Sequence, residues 1–168
     1  MLITPEYVEL NRKLHEDRPD YGANGHRYAE TVRGLAVSVE AETALDYGCG
    51  KGTLSRAVPQ LPWRNYDPAV EKYASRPMPA DLVVCGDVLE HIEPDCLIEV
   101  LEDLRSLTLK LAYLVIATRP AAKTLADGRN AHLIVEDASW WTPQLCEFWT
   151  PQSLINRGGE FEFAGTPK

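Results

Sequence analysis

The sequence predicts a doubly wound α/β fold: a mostly parallel sheet with helices on both faces, built as a single domain. Three observations predict it. Short, largely apolar runs at 44–47, 81–85 and 111–117 are separated by segments of helical spacing. The run at 111–117 is apolar throughout, as a strand covered on both faces requires. A glycine-rich turn, Gly48-Cys49-Gly50-Lys51-Gly52, follows the first run directly, where such folds pass from strand into helix.

The elements follow in order. Residues 6–15 and 26–39 have helical character, and DRPDYGANG at 17–25 between them is turn chemistry. Residues 44–47 form a buried strand, and a helix over 53–58 ends at Pro59 and Pro62. Residues 63–67 form a second strand, stopped by Pro68, and 81–85 a third apolar strand. Pro94 suits the first turn of the next helix, with Asp95 at its positive end, and Leu97, Leu101 and Leu104 recur at helical spacing toward Lys110. The strand at 111–117 leads into a long loop over 118–129. A helix is expected over 140–148, its start limited by Pro143. Phe161 and Phe163 alternate with Glu160 and Glu162 as in an edge strand.

The 168 residues suit one domain, and 45% apolar with 25% charged residues excludes disordered, collagen-like and coiled-coil classes. The net charge of −8, from 17 Lys+Arg against 25 Asp+Glu, argues against a nucleic-acid partner. No apolar run is long enough to cross a bilayer, so no membrane is expected. The start MLITPEYVEL lacks the pattern of a leader, and Cys49, Cys85, Cys96 and Cys146 form no CxxC pair. A cytoplasmic location follows as the expectation, with no metal-ligand motif and no redox dithiol.

Ligands of doubly wound sheets bind beyond the carboxyl ends of the strands, where Gly48, Gly50 and Gly52 lie. Glycines there let a backbone approach a ligand, and the following helix would aim its first N–H groups at the same space. Alone, such a turn fits helix-on-strand packing equally well. Asp67 lies 21 residues after Asp46, where a carboxylate accepts hydrogen bonds from a ribose diol. Alone it fits a turn aspartate before proline. Together the two features favour a nucleoside cofactor. The glycines do not follow GxGxxG spacing, and no GxxxxGK[ST] loop is present.

At these residues the chain resembles the class I S-adenosylmethionine (SAM) dependent methyltransferases. LDYGCGKG at 45–52 is similar to their first motif, and Asp67 in NYDPAV to the acidic residue after their second strand. DLVVCGDVLEHI at 81–92 resembles their fourth-strand motif, and IATRP at 116–120 their fifth strand and its exit. The resemblance covers roughly residues 43–119. It implies a Rossmann-like sheet, SAM as cofactor and S-adenosylhomocysteine as product. It places Gly48, Cys49, Gly50 and Gly52 at the methionine part of the cofactor, above Asp46. Asp67, with Pro68 beside it, would take the ribose, while Gly86, Asp87 and Val88 lie by the sulfonium. The Tyr21–Gly22 turn would fold over the cofactor carboxylate. His91 and His132 are the candidate general bases, and Arg129 and Asn130 the candidate substrate contacts. His91 also fits a helix-packing role, and DGRNAHLI an ordinary turn. Trp140, Trp141, Phe148 and Trp149 fit core packing better than a substrate wall. Arg119 and Lys123 fit solvated loop positions better than an acid-binding pair.

The chain departs from the family between Asp67 and Asp81, only 14 residues apart. A crossover with its helix needs about 10–12 residues by itself. One short helix over 69–74 is expected, the family's third strand is missing, and the exposed sheet edge invites pairing into a homodimer. The expected division is a helical cap at 1–40, a cofactor-binding core at 43–119 and substrate-side elements at 120–168. The expected activity is SAM-dependent methyl transfer to a small-molecule oxygen or nitrogen acceptor by in-line displacement. GDVL in place of [DN]PP[YFW], and the absence of a Pro-Cys pair, argue against methylation of nucleic-acid bases. A non-catalytic SAM-binding subunit and a SAM-consuming lyase are the alternatives, with a nicotinamide dehydrogenase further off.

Overall fold

The innermost strand sets the plan of the molecule. In the computed structural model, which describes all residues Met1–Lys168, the apolar run around 111–117 lies in a strand over Thr108–Ala117 whose residues 111–117 are all buried. Its side chains alternate between two cores. Ala112, Leu114 and Ile116 face one, and Leu111, Tyr113 and Val115 face the other. A strand covered on both faces has no polar side to show, which explains its composition.

The strands in chain order are β1 (Ala44–Tyr47), β2 (Trp63–Tyr66), β3 (Ala80–Gly86), β4 (Thr108–Ala117), β5 (Trp149–Asn156) and β6 (Glu160–Pro167). They form one sheet in the order β2-β1-β3-β4-β6-β5. The first four run parallel, with Leu45 beside both Arg64 and Val83, and Val83 beside Ala112. β6 returns antiparallel along β4, and β5 antiparallel along β6. The helices are α1 (Pro5–Asp17), α2 (Ala29–Ser38), α3 (Thr53–Ala57), α4 (Leu97–Leu107) and α5 (Ala138–Phe148). α4 and α5 cover one face through Val100, Leu101, Leu104, Trp141 and Leu145. α2 and α3 cover the other through Val32, Ala36 and Leu54. Replacing a side chain such as Leu114 by alanine in these cores would cost about 2–5 kcal/mol.

Between β2 and β3 the chain makes only a short 3₁₀ turn, Glu71–Tyr73. No strand lies outside β2, so the sheet is shortened there as the spacing predicts. At the other side the expectation fails. β6 is not an edge strand, because β5 covers it. Phe161 and Phe163 enter the α4/α5 core, and Ala164 the opposite one. Residues 149–156 carry no strand pattern in the sequence, since Pro151 and polar residues interrupt it. An edge strand tolerates both, and the register shifts between Pro151 and Ser153. α5 starts at Ala138, before Trp140, because Asp137 caps it by accepting from the N–H groups of Ser139 and Trp140. Trp141 and Trp149 are fully buried in the core and Phe148 packs partly buried against it, whereas Trp140 departs from the expected core packing and stays exposed.

α1 belongs to neither layer. Tyr7 packs with Leu125 and Ala131 of the loop after β4. The Thr4 N–H and hydroxyl both donate to the Glu93 carboxylate, at 2.9 and 2.8 Å, and the Tyr7 hydroxyl donates to the His91 carbonyl at 2.6 Å. The N-terminal helix is thereby fixed across the carboxyl ends of the parallel strands.

Candidate active site

Four parallel strands deliver four loops to one end of the sheet, and α1 crosses above them. The space between is a cavity of about 340 Å³, within the range that holds small ligands. Its walls come from 46–50 after β1, 66–69 after β2, 86–92 after β3 and 117–132 after β4.

The glycine turn forms one wall. Gly48 and Gly50 have φ of +75° and +49°. A Cβ on Gly50 would lie 2.6 Å from the Gly22 carbonyl oxygen, and one on Gly48 would run into Val88. Glycine is required at both positions by conformation and by close approach. The turn's own N–H groups are engaged within the protein. The N–H groups of Gly48 and Cys49 donate to the Tyr66 carbonyl, Gly50 to Asp67 Oδ2, Lys51 to the Gly22 carbonyl and Gly52 to the Cys49 carbonyl. The turn is stitched to β2 and to the Tyr21–Gly22 turn, and it offers surface rather than spare donors. Gly52 lies outside the cavity lining, against the Tyr73 hydroxyl.

Two carboxylates form the floor. Asp46 is 6% exposed, lines the cavity and makes no hydrogen bond within the protein. Burial, with the Asp67 charge nearby, pushes its carboxyl up to about 7. Asp67 is also buried, and each of its oxygens accepts one backbone N–H, from Gly50 and from Ala69, both at 2.9 Å. A carboxylate has about four lone-pair sites, so each oxygen keeps one for a ligand. Burial raises the Cys49 thiol well above its ordinary range, so this side chain is a packing group and not a nucleophile.

The roof is the part that sequence reasoning overlooks. Tyr7, Asn11 and His15 lie four residues apart on α1, and all three line the cavity. The Tyr21 hydroxyl donates to Asn11 Oδ1 at 3.1 Å, and His15 Nε2 lies 3.9 Å from Asp67 Oδ2. Burial lowers the His15 pKa, and its Nδ1 has no partner. The helical spacing of one aromatic and two polar side chains was the available signal. Lys51 Nζ donates to the His15 carbonyl at 2.9 Å and ties the end of the roof to the glycine turn.

The inner end is built by residues after β3 and β4. Gly86, Asp87 and Val88 line it, as do His91 and His132. Asp87 has a φ of +56°, and its carboxylate accepts the Tyr28 hydroxyl at 2.7 Å. His91 Nδ1 donates to the Ala131 carbonyl at 2.7 Å, and His132 Nδ1 to the Arg119 carbonyl at 2.6 Å. The two rings meet edge to face, 4.7 Å between centroids. Burial pushes the His91 pKa down to about 4, and it lowers that of His132 too.

Arg129 and Asn130 do not reach the cavity. Arg129 pairs with Asp127 at 2.7 Å and points over the Tyr7 ring. Asn130 bridges the N–H and carbonyl of Ala121, and its Oδ1 accepts the His132 N–H, each at 2.9 Å. Both are spent on shaping the loop that presents His132. Tyr21, Asp46, Gly48, Cys49, Gly50, Asp67 and Pro68 do converge on the cavity, as the motifs imply. Arg119 and Lys123 also line it, Lys123 paired with Asp20 at 2.7 Å.

A family described as methyltransferase domain matches residues 14–167. No curated protein matches the sequence. Among solved structures, the DhpI–SAH complex superimposes with a TM-score of 0.67 at 18% identity, covering 95% of this chain and 96% of the other. The Burkholderia thailandensis 1,6-didemethyltoxoflavin-N1-methyltransferase, solved with its namesake ligand and S-adenosylhomocysteine, gives 0.69 at 15% identity over 100% and 92%. The N-methyltransferase NodS of Bradyrhizobium japonicum, in complex with S-adenosylhomocysteine, gives 0.62 at 16% over 96% and 97%. At these identities the likeness is one of fold.

Proposed function

The chain belongs to the methyltransferase-domain family, and from that premise we propose that it moves a methyl group from SAM to a small-molecule oxygen or nitrogen acceptor inside this cavity. The observation that carries the reading is the floor: two buried carboxylates at the carboxyl ends of β1 and β2, one of them without a partner. The residues present fit a cationic nucleoside. Asp46, once ionised, is an acceptor-only group that a cation or donor would stabilise, and Asp67 keeps two lone pairs for a diol. The small-molecule acceptor is supported by the size of the cavity, the net charge of −8 and the named acceptor bound in the Burkholderia structure.

When bound, SAM supplies a methyl group on a positively charged sulfur. The protein's part is to hold and orient. The glycine turn, fixed by its own hydrogen bonds, gives a rigid wall that does not reorganise during reaction. α1 and the Tyr21–Gly22 turn cover the cavity from above. Asp87 and Val88 bound the inner end, where an acceptor would stand in line with the methyl group. Such alignment accounts for much of the rate in displacement reactions. His91 and His132 present unprotonated nitrogens there at neutral pH and can accept a hydrogen bond from the acceptor.

The test is turnover. Purified protein, SAM and a panel of hydroxyl and amine acceptors should yield S-adenosylhomocysteine only in wells holding an acceptor of the right shape. SAM loss without any acceptor would instead identify a lyase and overturn methyl transfer.

A further inference from the structure

We propose that Glu90, His91 and His132 form a site for a divalent transition-metal ion at the inner end of the cavity, with open positions for an oxygen of the methyl acceptor. One ligand atom from each of these residues lies within 4.8 Å of the other two. The three residues come from the turn after β3 and the loop after β4, so the fold brings them together and the chain order does not show it.

Three features separate this cluster from a chance grouping. Both imidazoles donate Nδ1–H to a backbone carbonyl, Ala131 for His91 and Arg119 for His132. A carbonyl can only accept, so the proton sits on Nδ1 and each Nε2 keeps its lone pair. That is how proteins orient histidine ligands toward a metal. The Glu90 carboxylate is fully buried; Oε1 accepts the Ala117 N–H at 3.0 Å, while Oε2 is buried with no partner at all. A buried, unpartnered carboxylate oxygen is costly unless a cation or donor meets it. The surrounding backbone is also built for rigidity: the Leu133 and Ile134 N–H groups both donate to the Glu90 carbonyl, and Asn130 holds the His132 N–H. Asn130 is a positioning residue for the site.

Two imidazole nitrogens and one carboxylate favour zinc, manganese, iron or cobalt over magnesium or calcium. Around a tetrahedral ion with bonds of about 2.1 Å, ligand atoms stand roughly 3.4 Å apart, so each side chain would close in by roughly an ångström or less. His91 and His132 line the cavity, so the open side of the ion would face the acceptor. Two of the cavity's cations are engaged elsewhere, Lys123 with Asp20 and Arg27 with Glu160; Arg119 also lines the cavity, and its carbonyl holds His132.

The role of the ion rests on the methyl-transfer reading; the site itself does not. A hydroxyl held there gives up its proton to solvent more readily. Its oxygen lone pair then forms the O–CH₃ bond, and the electron pair of the C–S bond leaves on a sulfur that becomes a neutral thioether. The site therefore favours oxygen over nitrogen acceptors.

Chelator-treated protein titrated with Co²⁺ alone tests the site. We expect binding of one ion, visible absorption bands of a bound Co²⁺, and a higher melting temperature. His132→Ala and Glu90→Gln should each weaken Co²⁺ at least about tenfold, and Asn130→Ala should weaken it less. Melting in metal-free buffer shows whether each variant is folded, and two variants in different segments guard against loss of one. No Co²⁺ binding by folded native protein, or equal binding by both ligand variants, overturns the proposal. A parallel titration with S-adenosylhomocysteine separates the two readings. Co²⁺ binding without nucleoside binding supports the site and removes its catalytic role. Nucleoside binding without Co²⁺ binding removes the site alone.

Discussion

Asp46 sits 6% exposed on the cavity floor with its carboxyl pushed up to about 7 by burial. Its ordinary value is 3.8, so between about pH 4 and 7 the folded chain binds more protons than the unfolded chain. Stability therefore falls as pH rises through that window, and above pH 7 the folded protein carries the full cost of a buried charge. Asp46→Asn removes that cost and should melt higher than the native protein at pH 8, by on the order of 5 °C. If Asp46 holds the ammonium that SAM and S-adenosylhomocysteine share, the same variant should bind S-adenosylhomocysteine about 10-fold or more weakly. Native affinity should rise from pH 5.5 to 7.5, while that of Asp46→Asn should stay flat. Calorimetry across pH checks both. At this scale the motifs lead to Asp46 and Asp67, which line the cavity floor, because backbone spacing fixes where a strand ends. Arg129 and Asn130 lie outside the cavity lining, and nothing in DGRNAHLI shows that Asp127 and Ala121 already engage them.

Among the elements, the glycine turn is both the most legible and the most constrained. Gly50 has φ +49°, and a Cβ there would lie 2.6 Å and 2.7 Å from backbone atoms of Gly22, which cannot move aside as a side chain could. Gly50→Ala should cost about 1–3 kcal/mol, lower the melting temperature by several degrees and push the Tyr21–Gly22 turn off the cavity. S-adenosylhomocysteine binding should weaken with it. A variant that melts and binds as the native protein does would show that this turn is not held as described. α1 was legible as a helix but not as a roof, since its closing contacts, Tyr7 to His91 and Thr4 to Glu93, join segments more than 80 residues apart. β5 was missed for a related reason: its exposed residues carry no apolar alternation, and its pairing with β6 defines it.

For the molecule as a whole, the parallel half of the sheet was readable because strands buried on both faces are apolar throughout and are separated by turn signals. The shortened edge beside β2 was readable from length alone: 14 residues cannot hold a crossover, a strand and a second crossover. The antiparallel end and the meeting of Glu90, His91 and His132 were not, because both depend on tertiary proximity. The parallel order brings four loops together over two buried carboxylates in a chain that belongs to the methyltransferase-domain family. The central claim is that this cavity binds the nucleoside of SAM on Asp46 and Asp67. Isothermal titration with S-adenosylhomocysteine tests it most directly. We expect binding of one molecule with micromolar affinity, weakened about 10-fold or more in Asp67→Asn. Absence of binding by folded native protein, or undiminished binding by Asp67→Asn, would contradict it.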